Sequence, residues 1–388
     1  MASHRKLPPK LITFGGKMSD ARKMNVAITQ YLKQILSGTI QDSHIYALAL
    51  MMTGLIRGKS SHFDEMGRKS GHKGGSKFPS RVKLIHRFIK NKHITYESHF
   101  LPFIEVVIAG LGLSEFRLSI DSSKVGRGIL ILTVGLVYKK RVIPLAWMLY
   151  KGRKGHSSVE KQLELLNQVV TLLPEGADVI LTGDGEFDGT GVIEWLKTHP
   201  TWHYALRTAK NIIVRGKDES EGQSLETWAP AAGEDMFLEE VFFTQQEVGP
   251  VNIAILWHEA DQEHIYLVTD AQTLEQCQKW YRRRFNIETL FSDSKSRGFG
   301  LDKSGIRHPE RMARFVIAVF LAYIWMIYLG VLAIQSQQLG LIARTDRFFN
   351  SLFQLGRAFL DRILEEGRDI PVSVALPDPR SFVHLVLV

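Results

Sequence analysis

Cysteine is almost absent from this chain. Its 388 residues include one, Cys277, so no intramolecular disulfide can form and no cysteine-based zinc cluster can be built. Such a chain is compatible with a reducing cytoplasm. The first residues, MASHRKLPPK, lack the apolar stretch of a secretory signal. No internal repeat or low-complexity tract is visible. Acid is in deficit: 40 Asp and Glu stand against 49 Lys and Arg, a formal net charge of +9. That balance suits a polyanionic partner such as nucleic acid. Charge is missing altogether from Phe315 to Ile334, FVIAVFLAYIWMIYLGVLAI, over 20 residues. This run is long enough to span a bilayer and has equally the composition of a core helix in a large α/β domain.

What is present falls into regions of different texture. The first 110 or so residues read as helical and basic, with helices expected over 20–36, 43–57, 80–91 and 98–111, and Ser80 as an N-cap. In RVKLIHRFIKNK, Val82, Leu84, Ile85, Phe88 and Ile89 share one side, while Lys83, His86, Arg87 and Lys90 share the other. A helix with an apolar back and a basic front, preceded by a shorter helix and a turn, fits a helix-turn-helix-like unit with Lys83, Arg87 and Lys90 against DNA. From Phe116 the pattern changes to three strands joined by short turns, FRLSID, GILILTVGLVY and RVIPLAWMLY, expected to be antiparallel. A helix over 157–173, the apolar strand ADVILTGD, a helix near 189–198 and the strand WHYALR follow. Residues 208–275 carry short strand-like runs, and the chain closes with helices over 281–295, 315–334 and 346–366 and an apolar tail.

This order predicts an α/β fold with a mixed sheet. Asp121 ends the first strand and Asp184 ends the buried one, so the two meet if the strands are neighbours. Glu288 arrives on a helix able to cover that sheet edge. Converging carboxylates repel and need a cation among them; hard divalent ions bound by carboxylate oxygens meet that need. Two such ions about 4 Å apart can drive phosphodiester cleavage. On a helical wheel Tyr281, Arg284, Glu288 and Lys295 project within roughly 60° of one another and form a single stripe up one face.

The spacing Tyr-x2-Arg-x3-Glu-x6-Lys at Tyr281, Arg284, Glu288 and Lys295 resembles the signature of DDE transposases of the bacterial cut-and-paste insertion-sequence class. IDSSKV resembles that family's first catalytic block and TGDGEF its second. The resemblance runs from about residue 115 to 330. It implies an RNase H-like mixed-sheet catalytic core with a β-rich insertion, preceded by an all-helical DNA-binding region. Asp184 and Glu288 lie roughly a hundred positions apart, far more than one strand and one helix require, and the surplus fits an insertion over 208–275. The expected organisation is a helical DNA-binding region over 1–112, a catalytic core over 113–207 and 276–340, the insertion between them, and a C-terminal helical tail over 341–388 with a part in dimerisation.

The resemblance further implies Asp121, Asp184 and Glu288 as catalytic metal ligands, with two Mg²⁺ ions for which Mn²⁺ substitutes. Asp184 is taken over Glu186 and Asp188 because it ends the strand. Tyr281, Arg284 and Lys295 then grip phosphates around the scissile bond, and an insertion aromatic, Trp257 or Tyr266, stacks on a flipped base. The implied activity is binding of terminal inverted repeats in double-stranded DNA, cleavage, and joining of 3′ ends to target DNA. The implied partner state is a homodimer in a synaptic complex, in a bacterial cytoplasm, with 315–334 as a core helix and no membrane. A domesticated nuclease of the same fold and an inactive sequence-specific DNA-binding regulator are the alternatives.

Overall fold

The computed structural model describes residues 18–71, 76–343 and 350–381. Six helices come first: α1 (Asp20–Leu36), α2 (Asp42–Gly58), α3 (Phe63–Lys69), α4 (Phe78–Lys90), α5 (Tyr96–His99) and α6 (Leu101–Leu111). The apolar α2 is buried along nearly its whole length and packs on α1, α3 and α4. Pro79 in the first turn of α4 needs no amide partner there, so the helix starts at Phe78 and Ser80 lies inside that turn instead of capping it. α4 buries Ile85, Phe88 and Ile89 and leaves Lys83, His86, Arg87 and Lys90 exposed.

Strands β1 (Glu115–Lys124), β2 (Ile129–Tyr138) and β3 (Arg141–Lys151) form the expected antiparallel meander, with every residue of β2 buried. Helix α7 (Val159–Val170) leads to β4 (Asp178–Gly183), and α8 (Thr190–Lys197) leads to β5 (Trp202–Thr208). β4 pairs in parallel with β1 on one side and β5 on the other. The order β3-β2-β1-β4-β5, with parallel β1, β4 and β5, is the RNase H-like core. The segment after β5 adds β6 (Ile213–Arg215), β7 (Gln223–Ser224), β8 (Met236–Phe243), β9 (Val248–His258) and β10 (Glu263–Thr269). These strands continue the core sheet: β10 pairs antiparallel with β5, and the whole sheet reads β3-β2-β1-β4-β5-β10-β9-β8-β6-β7. β5 would otherwise be an edge with unpaired backbone groups, and β10 covers it.

Two helices then cross the sheet, α9 (Leu274–Tyr281) and α10 (Asn286–Ser294). The single helix expected over 281–295 is therefore two. Residues 282–285 form a tight turn in which Arg284 N donates to Tyr281 O (2.9 Å) and Asn286 N to Arg283 O (3.1 Å). The charge-free run lies in α11 (Pro309–Gln335), which is long and apolar enough to cross a membrane, yet 94% of its most apolar stretch is buried inside the protein. It packs on β3, α2, α4 and α10, and also on α13 (Leu352–Glu365), which follows the short α12 (Leu339–Ile342). Gly330 of α11 and Gly356 of α13 allow that last contact. A Cβ on Gly356 would stand 1.8 Å from Met326 O, and one on Gly330 2.1 Å from Leu352 O. The expected start of this last helix at 346 and the apolar tail lie outside the described residues, as does part of the turn before α4. On the other side of α11, Trp147 of β3 meets Phe100 edge-on at 4.5 Å and Phe320 at 4.9 Å, which ties sheet, helical region and core helix together.

Candidate active site

The strand register brings the two aspartates together. β1 and β4 run parallel with Ile120 opposite Gly183, where β4 ends. The next residues along the two strands are Asp121 and Asp184. Two positions back on the same face, the Ser119 and Thr182 hydroxyls are hydrogen-bonded at 3.0 Å. Asp121 is not at the end of β1, as the sequence suggested; β1 runs on to Lys124 because β2 keeps pairing with it past the point where β4 stops. Asp121 is 4% exposed, and its Oδ1 accepts from Ser122 N at 2.7 Å. Burial, and then the charge of Asp184, push its carboxyl up to about 7, against the pull of the Ser122 amide, Arg284 and Lys154.

The turn after β4 is fixed by buried Phe187, whose amide donates to Asp184 O at 3.0 Å, and by Glu186 N, which donates to Asp184 Oδ1 at 3.1 Å. The Glu186 carboxylate turns away from Asp184. It accepts from Ser122 Oγ at 2.6 Å and from Ser157 N at 2.7 Å, and so ties β1 to the loop before α7. Neither Glu186 nor Asp188 lines the cavity that holds Asp121 and Asp184.

Glu288 lies in the first turn of α10, where the helix dipole favours a carboxylate. Three contacts fix α10. Asn286 Nδ2 donates to Lys139 O at 3.3 Å, Arg141 of β3 pairs with buried Asp293 at 3.4 Å, and Lys295 Nζ donates to Ser123 Oγ. Burial pushes Asp293 up to about 6, while Arg141, Arg297 and Arg357 hold it down. Glu288 Oε1 accepts from Arg284 Nη2 at 3.3 Å, and the Arg284 guanidinium is buried. A cavity of about 280 Å³ is thus lined by Asp121, Asp184, Glu288, Arg284 and Lys154, with Ser122, Ser123 and Phe291 completing the wall.

The other residues singled out in the sequence are distributed as follows. Lys295, half-buried, stays beside β1; burial lowers its ammonium, Lys154 adds to that, and Asp302 and Asp121 oppose it. Tyr281 ends α9, buried, with its hydroxyl unpartnered. Burial raises that hydroxyl, against the pull of Arg284 and Arg207. Tyr281 lines a separate, larger groove of about 1110 Å³, and so does Trp257. Tyr266 of β10 lines a hollow of about 350 Å³ that also contains Asp184, Arg207 and Lys210. Of the two aromatic candidates, Tyr266 alone shares a wall with one of the acids. Lys83, Arg87 and Lys90 remain on the exposed face of α4 and line none of these cavities. Lys154, exposed in the loop after β3, was not singled out from the sequence. A lysine in KGRKGHSS carries no spacing signal, although its position between the first two acids does.

The donor set suits a hard divalent cation. Two carboxylates stand side by side, one of them buried and strained by the charge of the other, which is the electrostatic need such an ion relieves. Among the described residues no three His, Cys, Asp or Glu side chains stand close enough to share one ion as placed. Glu288 is turned to Arg284, whose positive charge also acts on Asp121.

Residues 136–325 match the family model described as a transposase DDE domain. The span covers just under half of the chain and takes in Asp184 and Glu288 but not Asp121. A cryo-EM structure of a piggyBac transposase synaptic complex with hairpin DNA is similar over 89% of this chain and 77% of that one, with a TM-score of 0.45 and 14% identity. No curated protein matches the sequence. The match over 136–325 supports a DDE-type transposase.

Proposed function

We propose that this chain is a DNA transposase that binds the terminal inverted repeats of its element, cleaves DNA at Asp121, Asp184 and Glu288 with divalent metal, and joins the 3′ ends to target DNA. The observation that carries the reading is the cavity itself: three carboxylates from three distant chain segments line it together with two cations. Phosphodiester cleavage asks for that combination. Asp121 and Asp184 would hold the ions, Mg²⁺ by preference with Mn²⁺ substituting, and Glu288 would join them in exchange for its pairing with Arg284. When bound, a divalent ion supplies Lewis acidity at the phosphoryl oxygen and lowers the pKa of the attacking water.

The chain's own contribution is positioning. Arg284 and Lys295, both held by burial, and the freer Lys154 supply charge-assisted contacts to phosphate oxygens. Glu186 keeps Ser122, and with it Asp121, in register with the loop that carries Lys154. The exposed cations of α4 would contact the duplex backbone within a DNA-binding region over 1–112. The core over 113–207 and 276–340 would carry the chemistry, the strands of 208–275 the flanking contacts with Tyr266 nearest the acids, and the tail over 341–388 the pairing of two subunits on DNA.

The test is cleavage of element-end DNA by the purified protein with Mg²⁺. Alanine at Asp121, Asp184 or Glu288 should abolish cleavage and leave binding of the end largely intact, because the acids hold ions and not DNA. A near wild-type rate in Asp184→Ala would sink the assignment.

A further inference from the structure

The turn at 282–285 divides its side chains between two cavities. Arg284 enters the acid cavity, whereas Arg282, Arg283 and Phe285 line the larger groove beneath α9. This groove is bounded by β1 and β2 on one side and by β9 and β10 on the other. Arg117, Lys279, Arg282 and Arg283 bring positive charge to it, and Trp257 and Phe285 bring aromatic surface.

Neither Arg282 nor Arg283 forms an ion pair among the described residues. Three acids also line the groove, Glu115, Asp235 and Glu275, and neither arginine of the turn pairs with them. Glu115 pairs with Arg117 at 2.8 Å, and Asp235 accepts from Trp257 N and from Gln278 Nε2, both at 2.7 Å. Burial, with the charges of Arg117 and Arg282, lowers the Arg283 guanidinium below its ordinary value. Arg282 and Arg283, adjacent and without a direct ion pair, repel each other, and an anion seated between them would relieve that repulsion. Phe285 is 43% exposed, with the Arg284 guanidinium 4.2 Å from its ring centroid and Tyr281 edge-on to it, and the rest of the ring faces the groove.

We propose that this groove holds a segment of single-stranded DNA, with its phosphates on Arg282 and Arg283 and its unpaired bases against Trp257 and Phe285. The apolar floor decides between strand forms. A duplex presents phosphates and sugars outward and would leave the aromatic surface uncovered, whereas a single strand uses both cations and rings. The inference rests on the transposase reading for the identity of the polyanion, and its position on the far side of the 282–285 turn puts this strand outside the acid cavity.

The test is binding of a short, fluorescently labelled thymidine oligonucleotide to the full chain over a range of salt, without divalent metal. Arg282→Ala with Arg283→Ala, at exposed positions, should weaken binding on the order of tenfold and flatten the slope of log K against log salt by about 1.4, at about 0.7 for each phosphate contact. Trp257→Phe should retain binding, and Trp257→Ala should weaken it without changing the slope. Unchanged affinity and slope in the double arginine variant would overturn the proposal. Intact groove binding in a protein that cleaves no element ends would overturn the transposase reading and leave the groove standing.

Discussion

The acid cavity under α10 and the basic groove under α9 are separated by four residues, and they balance charge in opposite ways. In the cavity, acids and bases touch: Glu288 meets Arg284, and Asp121 lies within the fields of Arg284 and Lys154. In the groove Arg117 has Glu115, but Arg282 and Arg283 of the turn form no ion pair among the described residues and act on each other. The scaffolding differs as well. α10 is fastened at its start by Asn286 and at its end by Asp293 and Lys295, whereas the turn that feeds the groove is held by its own backbone hydrogen bonds. On the function proposed above, the region that would place ions and a phosphate to within a fraction of an ångström is the clamped one, and the region that would hold a flexible strand is not.

Several substitutions would break or sharpen this contrast. The largest effect is expected from Asp121→Asn and Asp184→Asn, which should reduce metal-dependent cleavage a thousandfold or more, on the order of what complete loss of the ion's contribution removes. Next comes the clamp. Arg141→Met leaves Asp293 buried without its partner and should destabilise the fold by about 3 kcal/mol or more, read as a lowered urea midpoint. Pairing it with Asp293→Leu should recover most of that loss. If the single variant melts as wild type does, α10 is not held by this pair.

Within the turn, Arg284→Ala should slow single-turnover cleavage of a pre-bound end by about thirty- to a thousandfold, the equivalent of roughly 2–4 kcal/mol at the transition state. Arg283→Ala should leave that rate nearly unchanged. Equal effects at the two positions would erase the distinction between the cavities. The smallest effect belongs to α4, where alanine at Lys83, Arg87 or Lys90 should each lower the salt slope of duplex-end binding by about 0.9 without altering cleavage of bound DNA.

Much of this was legible in the sequence, and what was not has identifiable causes. Asp121 and Asp184 could be read because a buried parallel strand followed by an acid carries its own signal: the apolar run shows the strand, and the register does the rest. The charge-free run in α11 was ambiguous in composition and is settled by what surrounds it. The stripe of Tyr281, Arg284, Glu288 and Lys295 depended on an unbroken helix. No proline or glycine marks the break at 282–285, so the pattern gave no warning that Tyr281 would face a different cavity from Arg284. Residues 208–275 read correctly as strands, but strand pattern does not say which edge a strand will join, and β10 joined β5. Lys154 was invisible because a loop lysine acquires meaning only from its neighbours in space.

The divalent-metal site proposed at Asp121, Asp184 and Glu288 can be tested without DNA. Thermal unfolding of the wild-type chain and of Asp184→Asn would be followed with and without Mn²⁺. At pH 8, above the raised value of about 7 and so with Asp121 ionised, and without metal, Asp184→Asn should melt above wild type, because burial and then the charge of Asp184 disfavour the Asp121 carboxylate and the variant removes the second. Saturating Mn²⁺ should raise the wild-type midpoint by several degrees through preferential binding to the folded state and raise that of the variant far less. Equal Mn²⁺ shifts in the two proteins would contradict the claim.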